Sequence, residues 1–458
     1  MMNSLKQEKD SVFSKNVRIA LLVVVILFGI LRFVNLNYDT PLYFTGYGIS
    51  DLTDPYMYTS FARNKILEGD WDPFNYERWK SWRISIVSGV SYLVFLTAGV
   101  SRVTANISAL VLGLGGTALF LWGWSIRRSR DEILLIAFFL LVSNLMFFAN
   151  RMTHLETGLL FISGMIVLVH FKLGKSVLGA TLTGLLIALG TFAGKLTGVV
   201  LLAPVMVDYL FDGKKELARL GGATILGFIV GMIIYSAMFF DWSPISMIEY
   251  FRSQTAAVGL RPTVPESLAG WTQMLFTYGA DGLFRFQTLV IIAAIIGTTS
   301  LWVATFRKKE RELIGANGYR ALVFVFVWLA CGLITLIPFM YRPFRYFLPF
   351  MPPLLALAGF GVWRLLKGEF KLPGSGTLKW ALPVGLVFAT IYLAIQFHSW
   401  WIQIYVAGKP SQVPIDYKVI LLSGLAAAIF ASIIIFKKWR LNARFSAILA
   451  FTILGLFT

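Results

Sequence analysis

Residues 51–63 read DLTDPYMYTSFAR and follow the first hydrophobic segment of the chain. Asp51 and Asp54 are three residues apart, so both lie on one face if a helix begins here. Asp54-Pro55 has the form of a helix start, with aspartate as the N-cap and proline at the first helical position. Carboxylates held against a membrane cost free energy, which makes them candidates for chemistry. Asp54 can therefore be interpreted as a helix cap or as a reactive carboxylate, and the rest of the sequence is needed to distinguish the two.

The composition around this stretch is that of an integral membrane protein. Of the 458 residues, 57% are hydrophobic and 14% are charged, whereas soluble domains carry about 25% charged residues. The mean hydropathy is +0.73. The net charge of +18 comes from short basic clusters between apolar runs, a pattern that sets membrane topology and favours anionic membrane lipids. No nucleic-acid partner is expected, and the single cysteine, Cys331, excludes an intrachain disulfide.

The apolar runs predict an all-α, polytopic protein with about thirteen membrane spans. They lie near 18–34, 104–126, 132–149, 156–171, 176–192, 197–211, 219–240, 286–306, 320–338, 346–366, 379–397, 417–436 and 444–458. The run 84–99 is interpreted as an interfacial or re-entrant helix, because every basic cluster then falls on one side, which the positive-inside rule makes cytoplasmic.

This topology places the N-terminus inside and the C-terminus outside. Residues 1–16 are predicted to form a polar cytoplasmic tail, and residues 17–458 a single transmembrane domain. Its large outer loops are 35–103, with interfacial helices, and 241–285. The expected location is the inner (plasma) membrane, with the functional face toward the periplasm or exterior.

Five short motifs occur in order on this predicted outer face. They are Asp54 with Tyr58, Ala62-Arg63 and Gly69-Asp70-Trp71; Ser101-Arg102-Val103; Arg151-Met-Thr-His154-Leu-Glu156; Gly190-Thr-Phe-Ala-Gly-Lys195-Leu-Thr; and Arg345-Tyr346-Phe-Leu-Pro349-Phe-Met-Pro352. Together they resemble the GT-C membrane glycosyltransferases, particularly the protein O-mannosyltransferase and lipid A aminoarabinose transferase branch. Pro55 departs from that pattern, which usually has a second carboxylate there, and Asp51 is the candidate to supply that charge.

The resemblance implies transfer of a monosaccharide from a polyprenyl-phosphate donor, of undecaprenyl or dolichyl type, to a lipid, glycan or protein acceptor, with inversion. A carboxylate must take the acceptor proton, and fixed cations must hold the phosphate charge that develops. Asp54 is the expected base, with Asp51 as the alternative. The expected phosphate ligands are Lys195, Arg345 and Arg342. The expected substrate-positioning residues are Tyr58, Arg63, Glu156 and Tyr346.

Other interpretations of these residues stay open. Lys195 could reach the interface as a snorkelling lysine, and Arg342 and Arg345 could be interfacial anchors. His154 and Glu156 have a His-x-Glu spacing that could bind a divalent cation, Mg²⁺ or Mn²⁺, together with Asp51, although the leading hypothesis requires no cofactor.

Two alternative functions also remain. One is a transporter or flippase of an anionic lipid or polymer, against which the absence of an inverted repeat counts. The other is a metal-dependent enzyme similar to oligosaccharyltransferases, against which the lack of an appended soluble domain counts.

Overall fold

The computed structural model describes residues 13–34, 36, 55–73, 83, 85–257, 288–336 and 344–367. Within these ranges all regular secondary structure is helical. The helices are α1 Lys15–Leu31, α2 Pro55–Leu67, α3 Ile86–Ala98, α4 Arg102–Ser125, α5 Arg130–Val142, α6 Asn144–Ala149, α7 Leu155–Leu173, α8 Val177–Gly194, α9 Leu196–Leu210, α10 Lys214–Phe239, α11 Pro244–Ala257, α12 Thr288–Phe306, α13 Lys308–Ile314, α14 Ala316–Leu336 and α15 Arg345–Leu366.

Six of the described helices are long and apolar enough to cross a membrane: α4, α7, α8, α10, α14 and α15. The prediction of an all-α, multi-pass membrane protein is therefore confirmed. The predicted spans 379–397, 417–436 and 444–458 lie outside the described residues, so the count of thirteen and the positions of the two termini stay predictions. Apart from its last three residues, the described part belongs to one compact unit, and the single transmembrane domain over 17–458 stays a prediction.

Helix α2 follows Asp54, where the sequence predicts an interfacial helix. It spans Pro55–Leu67; Asp54 lies outside the described residues, so its role as the N-cap stays a prediction. Gly69, with φ +77°, turns the chain in the left-handed region that glycine adopts without steric cost. Trp71 then packs on Tyr92 of α3 with ring centroids 5.0 Å apart. The Gly-Asp-Trp turn therefore fastens the end of α2 onto α3.

Helix α3 is the run whose membrane placement was ambiguous. Its 13 residues rise about 20 Å at 1.5 Å per residue, which is short of the roughly 30 Å of a bilayer core. That length agrees with an interfacial or re-entrant helix. Ser88 of α3 donates a hydrogen bond of 3.0 Å to the carbonyl of Tyr58, so α2 and α3 are also joined near the start of α2.

The centre of the unit is the crossing of α4 and α7. A Cβ atom added at Gly164 would lie 2.3 Å from the carbonyl oxygen of Gly116, so only a residue without a side chain permits this approach. Small residues at helix crossings let backbones pack closely where lipid supplies no hydrophobic force. This crossing fixes α7, whose N-cap is His154 and whose first turn carries Glu156, against the rest of the unit.

A polar cluster at the opposite end of α7 joins α7, α9, α14 and the turn that follows α4. Asp208 of α9 accepts two hydrogen bonds of 3.0 Å from Arg127, one of 3.0 Å from Arg320, and lies 3.0 Å from His170 Nε2. Arg320 also binds Asp212 at 2.6 and 2.8 Å, and this hydrogen bond lowers the pKa of the Asp212 carboxyl. The sequence predicted only a basic cluster at Arg127 and gave no expectation for Asp208, His170 or Arg320.

Candidate active site

A tight hairpin between α8 and α9 holds Lys195. The last turn of α8, Gly190–Gly194, is a π-helical turn, and Lys195 itself is extended, with φ −147° and ψ 144°. The Lys195 amide donates to the carbonyl of Gly190 at 2.9 Å. A Cβ atom at Gly198 would lie 2.8–2.9 Å from the backbone of Gly190 and Thr191. The hairpin therefore closes because Gly198 has no side chain, and Lys195 lies at its tip.

The Lys195 ammonium binds Glu156, the first acidic residue of α7. Its Nζ donates to Glu156 Oε1, and the Glu156 side chain is 1% exposed. A carboxylate in the first turn of a helix also interacts favourably with the helix dipole. Because Glu156 and Lys195 are 39 residues apart, their contact follows from the packing of α8 and α9 on α7.

Arg345 reaches the same carboxylate from a third element, the opening turn of α15. Its Nε lies 3.8 Å from Glu156 Oε1, and its side chain is 5% exposed. The adjacent Tyr346 places its ring 3.1 Å from the Lys195 Nζ and 5.7 Å from the Arg345 guanidinium carbon. Cations over an aromatic face are attracted by its quadrupole, so Tyr346 and Glu156 together fix both positive groups.

His154 lies beside this cluster as the N-cap residue of α7. It is 1% exposed. Burial, together with the charge of Arg345, lowers the pKa of His154 from its ordinary 6.5 to about 3. The imidazole is therefore neutral at neutral pH. Tyr58 of α2 makes an edge contact with it, with ring centroids 6.4 Å apart, so α2 packs against the cluster one turn after its start.

Two buried acceptor atoms of the cluster have no hydrogen-bond partner among the described residues. They are Glu156 Oε2 and His154 Nδ1; the histidine nitrogen accepts when the proton is on Nε2. Buried polar atoms are normally satisfied. A polar ligand that carries hydroxyl groups could donate hydrogen bonds to these unsatisfied acceptors, which lie next to two fixed cations.

The described structure brings most of the predicted site residues together. Glu156, Lys195, Arg345, Tyr346, His154 and Tyr58 form one cluster. Arg63 does not join it: its side chain is exposed and donates to Asn64 at 2.9 and 3.2 Å. Asp51, Asp54 and Arg342 lie outside the described residues, so their roles stay predictions.

The predicted metal site is not tested by the described residues. Among them, no group of three His, Cys, Asp or Glu side chains could hold a metal ion. Glu156 binds two cationic side chains instead. Its proposed partner Asp51 is not described, and the hypothesis of a divalent cation at His154 and Glu156 stays open.

Sequence reasoning missed the role of Arg151. Its guanidinium donates to the carbonyls of Leu31 at 3.2 Å and Val34 at 2.6 Å, at the end of α1. A cation near the last carbonyls of a helix is favourable. Arg151 therefore anchors the turn that leads to His154 and Glu156. The signal available in the sequence was an arginine on the predicted outer face, against the positive-inside trend.

No protein-family model matches the chain, and no curated protein matches it. Among solved structures, the chain is similar to ArnT from Cupriavidus metallidurans, both in the apo state and bound to undecaprenyl phosphate. The identities are 13% and 14%, the alignments cover 90% and 91% of this chain and 76% and 77% of those chains, and both TM-scores are 0.47.

The chain is also similar to the oligosaccharyltransferase of Archaeoglobus fulgidus in complex with zinc and sulfate. The identity is 11% and the TM-score 0.45, and the alignment covers 88% of this chain and 53% of that one. The chain thus spans about half the length of the archaeal enzyme. These similar structures are of GT-C glycosyltransferases, the class that the sequence motifs resemble.

Proposed function

We propose that the protein is a membrane glycosyltransferase that moves a monosaccharide from a polyprenyl-phosphate donor to a lipid, glycan or protein acceptor. The observation that carries this proposal is the convergence of Lys195 and Arg345 on Glu156. Three elements that are distant in sequence meet at one buried point, all of them on the face that the basic clusters predict to be the outer one.

The two cations have the chemistry that a departing phosphate requires. An arginine guanidinium binds phosphate oxygens in a bidentate fork, and a lysine ammonium acts as a compact point charge. Groups held in place before the reaction stabilise developing charge without reorganising. In this proposal Glu156 and Tyr346 hold Lys195 and Arg345 in position. When the donor binds, its phosphate interacts with both cations and replaces part of the interaction that they make with Glu156. Arg342 is the further candidate ligand.

The reaction needs a base next to this phosphate site. Asp54 immediately precedes α2, whose Tyr58 contacts His154 of the cluster. In the proposed step, the Asp54 carboxylate takes the proton of an acceptor hydroxyl, with Asp51 as the alternative base. The hydroxyl oxygen forms a bond to the anomeric carbon as the bond from that carbon to the phosphate oxygen breaks. The electron pair leaves with polyprenyl phosphate, and the anomeric configuration inverts.

The unsatisfied acceptors of the cluster support a sugar ligand. Glu156 Oε2 and His154 Nδ1 can each accept a hydrogen bond from a sugar hydroxyl. A site built to bind hydroxyl groups discriminates strongly against ligands that lack them, because its buried polar atoms are then left unpaired. We infer that these two residues orient the sugar while Tyr58 packs beside it.

The experiment that tests the proposal is a donor turnover assay with purified protein. A panel of undecaprenyl- and dolichyl-phosphate sugars is supplied with membrane lipids as acceptors, and released lipid phosphate is measured. We expect at least one donor to be consumed by the wild type and not by Asp54→Asn. The first donors to assay are undecaprenyl-phosphate sugars, because undecaprenyl phosphate is bound in one of the similar structures. A parallel reaction with a chelator tests the metal hypothesis.

Two results would contradict the proposal: no consumption of any donor, or full activity of a variant that carries both Asp51→Asn and Asp54→Asn. A transporter would instead move labelled lipid between the two leaflets of a vesicle without changing its covalent structure. Measuring both labelled-lipid movement and lipid phosphate release separates these two functions.

A further inference from the structure

Asn106 is a buried amide near the start of α4, a helix that is apolar and long enough to cross a membrane. It is 1% exposed, and burying an amide costs free energy unless it is hydrogen-bonded. Ser108 and Thr117, which are also buried on α4, each donate to a carbonyl of α4 itself, at 3.1 and 2.8 Å. Asn106 differs from them, because it donates to groups outside its own helix.

The two acceptors of Asn106 lie on either side of the segment that carries the candidate bases. Its Nδ2 donates to the carbonyl of Leu36 at 2.9 Å and to the hydroxyl of Tyr56 at 3.4 Å. A side-chain amide has two N–H donors, so one amide serves both acceptors. Leu36 follows α1, and Tyr56 is in the first turn of α2. The sequence between them includes Asp51 and Asp54, so Asn106 joins the two ends of that segment.

Helix α2 has further contacts that do not involve Asn106. Ala62 in its middle is fully buried and belongs to an apolar cluster with Phe95 of α3. Trp71, beyond its end, packs on Tyr92 of α3. Folding of α2 against its neighbours therefore has support without Asn106, whose two hydrogen bonds act at the first turn of α2 and at the residue that follows α1.

We propose that Asn106 is a positioning residue for the transfer reaction. By holding Leu36 and Tyr56, it sets the place of the Asp54 carboxylate. This inference rests on the proposed function, in which Asp54 takes the proton of the acceptor hydroxyl. Only Pro55 separates Asp54 from Tyr56, and the fixed φ of proline limits the freedom between them. A displacement of about 1 Å in a reacting group can lower a rate about 100-fold, so holding Tyr56 matters for the base.

The kinetic test compares two buried polar residues of the same helix. Asn106→Leu removes both hydrogen bonds and keeps a side chain of similar size. We expect its kcat to fall by about tenfold or more, with an unchanged KM for the donor, because the cations that bind phosphate are untouched. Ser108→Ala, which loses only a bond within α4, should keep the wild-type kcat. Tyr56→Phe should give a smaller loss in the same direction, and it replaces Asn106→Leu if that variant does not fold.

A double-mutant cycle tests whether Asn106 acts through Tyr56. Residues that share one interaction have non-additive effects. The variant with both Asn106→Leu and Tyr56→Phe should therefore lose less activity than the product of the two single losses. Two independent residues would instead give that product.

A spectroscopic measurement without donor tests the positioning itself. The single cysteine is removed by Cys331→Ala, and a nitroxide spin label is attached at Met57→Cys, a position next to Tyr56 that is 41% exposed. We expect Asn106→Leu to increase the mobility of this label. A label at Leu93→Cys of α3, which is 61% exposed, should have the same spectrum with and without Asn106→Leu.

Three results would overturn the inference. The first is equal loss of kcat in Asn106→Leu and Ser108→Ala, the second is a loss confined to KM, and the third is an unchanged label at Met57→Cys. Because the label spectra need no donor, they decide whether Asn106 fixes the first turn of α2 even if the wild type turns over no donor. In that case the proposed function fails, and the spectra still test the contact.

Discussion

Replacing Glu156 with glutamine should destabilise the protein and make a bound phosphate more stabilising. The substitution leaves Lys195 and Arg345 close together without the carboxylate that binds both. At the 3.8 Å separation of Arg345 Nε and Glu156 Oε1, the lost attraction is about 4 kcal/mol for an effective dielectric constant of about 20. Breaking a buried ion pair typically costs about 3–5 kcal/mol, so we expect the melting temperature to fall by several degrees.

A phosphate ligand should partly reverse this loss, because it supplies the negative charge that the substitution removes. Thermal unfolding in detergent is measured with undecaprenyl phosphate and with neutral undecaprenol. We expect undecaprenyl phosphate to raise the melting temperature of Glu156→Gln more than that of the wild type. Undecaprenol should change the melting temperatures of the two proteins by the same amount.

An exposed glutamate provides the control for this prediction. Glu216 pairs with Arg219, and their side chains are 32% and 50% exposed. Exposed pairs contribute about 0–1 kcal/mol, so Glu216→Gln should melt close to the wild type. The reasoning fails if Glu156→Gln and Glu216→Gln have equal melting temperatures, or if undecaprenyl phosphate stabilises Glu156→Gln no more than the wild type.

Three further predictions concern other parts of the unit. Asp208→Asn should lower stability by about 3–5 kcal/mol, because it leaves Arg127, whose side chain is 9% exposed, without its carboxylate, yet keep undecaprenyl phosphate binding; loss of binding in a folded variant would contradict this. The pKa of folded His154 is about 3 and that of the unfolded residue about 6.5, so the unfolded state binds more protons below pH 6.5. His154 should therefore make stability fall with pH from 6.5 toward 3, by at most about 1.4 kcal/mol per pH unit, and His154→Gln should flatten the pH dependence of the melting temperature; equal slopes would refute this. Gly198→Val should deform the hairpin and weaken phosphate binding, whereas Gly222→Ala, where an added Cβ contacts nothing within 4 Å, should bind normally; equal binding by both variants would argue against the hairpin's role.

Local features of the fold could be predicted because they depend on nearby residues. Run length and hydropathy indicate the spans, and the predicted spans 104–126 and 156–171 correspond to α4 and α7. The break between α5 and α6 at Ser143 was not predicted, because the whole run 132–149 is apolar enough to form one span.

The contacts of the site could be predicted only in part. The order of the motifs predicted that Glu156, Lys195 and Arg345 lie on one face. It did not predict that one carboxylate binds both cations. That pairing depends on how α7, the hairpin and α15 pack, and it joins residues 39 and 189 positions apart. The same holds for Asp208, whose partners come from α7, α14 and the turn after α4. An acidic residue inside an apolar run was the available signal.

Undecaprenyl phosphate binding tests the central claim most directly. Affinity is measured in nanodiscs for the wild type, Lys195→Ala, Arg345→Ala and Lys172→Ala, the last being an exposed cation in the final turn of α7. Loss of a charged hydrogen bond costs about 1.5–3 kcal/mol, which weakens binding roughly 10- to 150-fold. We predict that loss for Lys195→Ala and Arg345→Ala and none for Lys172→Ala. Wild-type affinity in both site variants, or an equal loss in all three, would contradict the assignment of a phosphate site to Lys195 and Arg345.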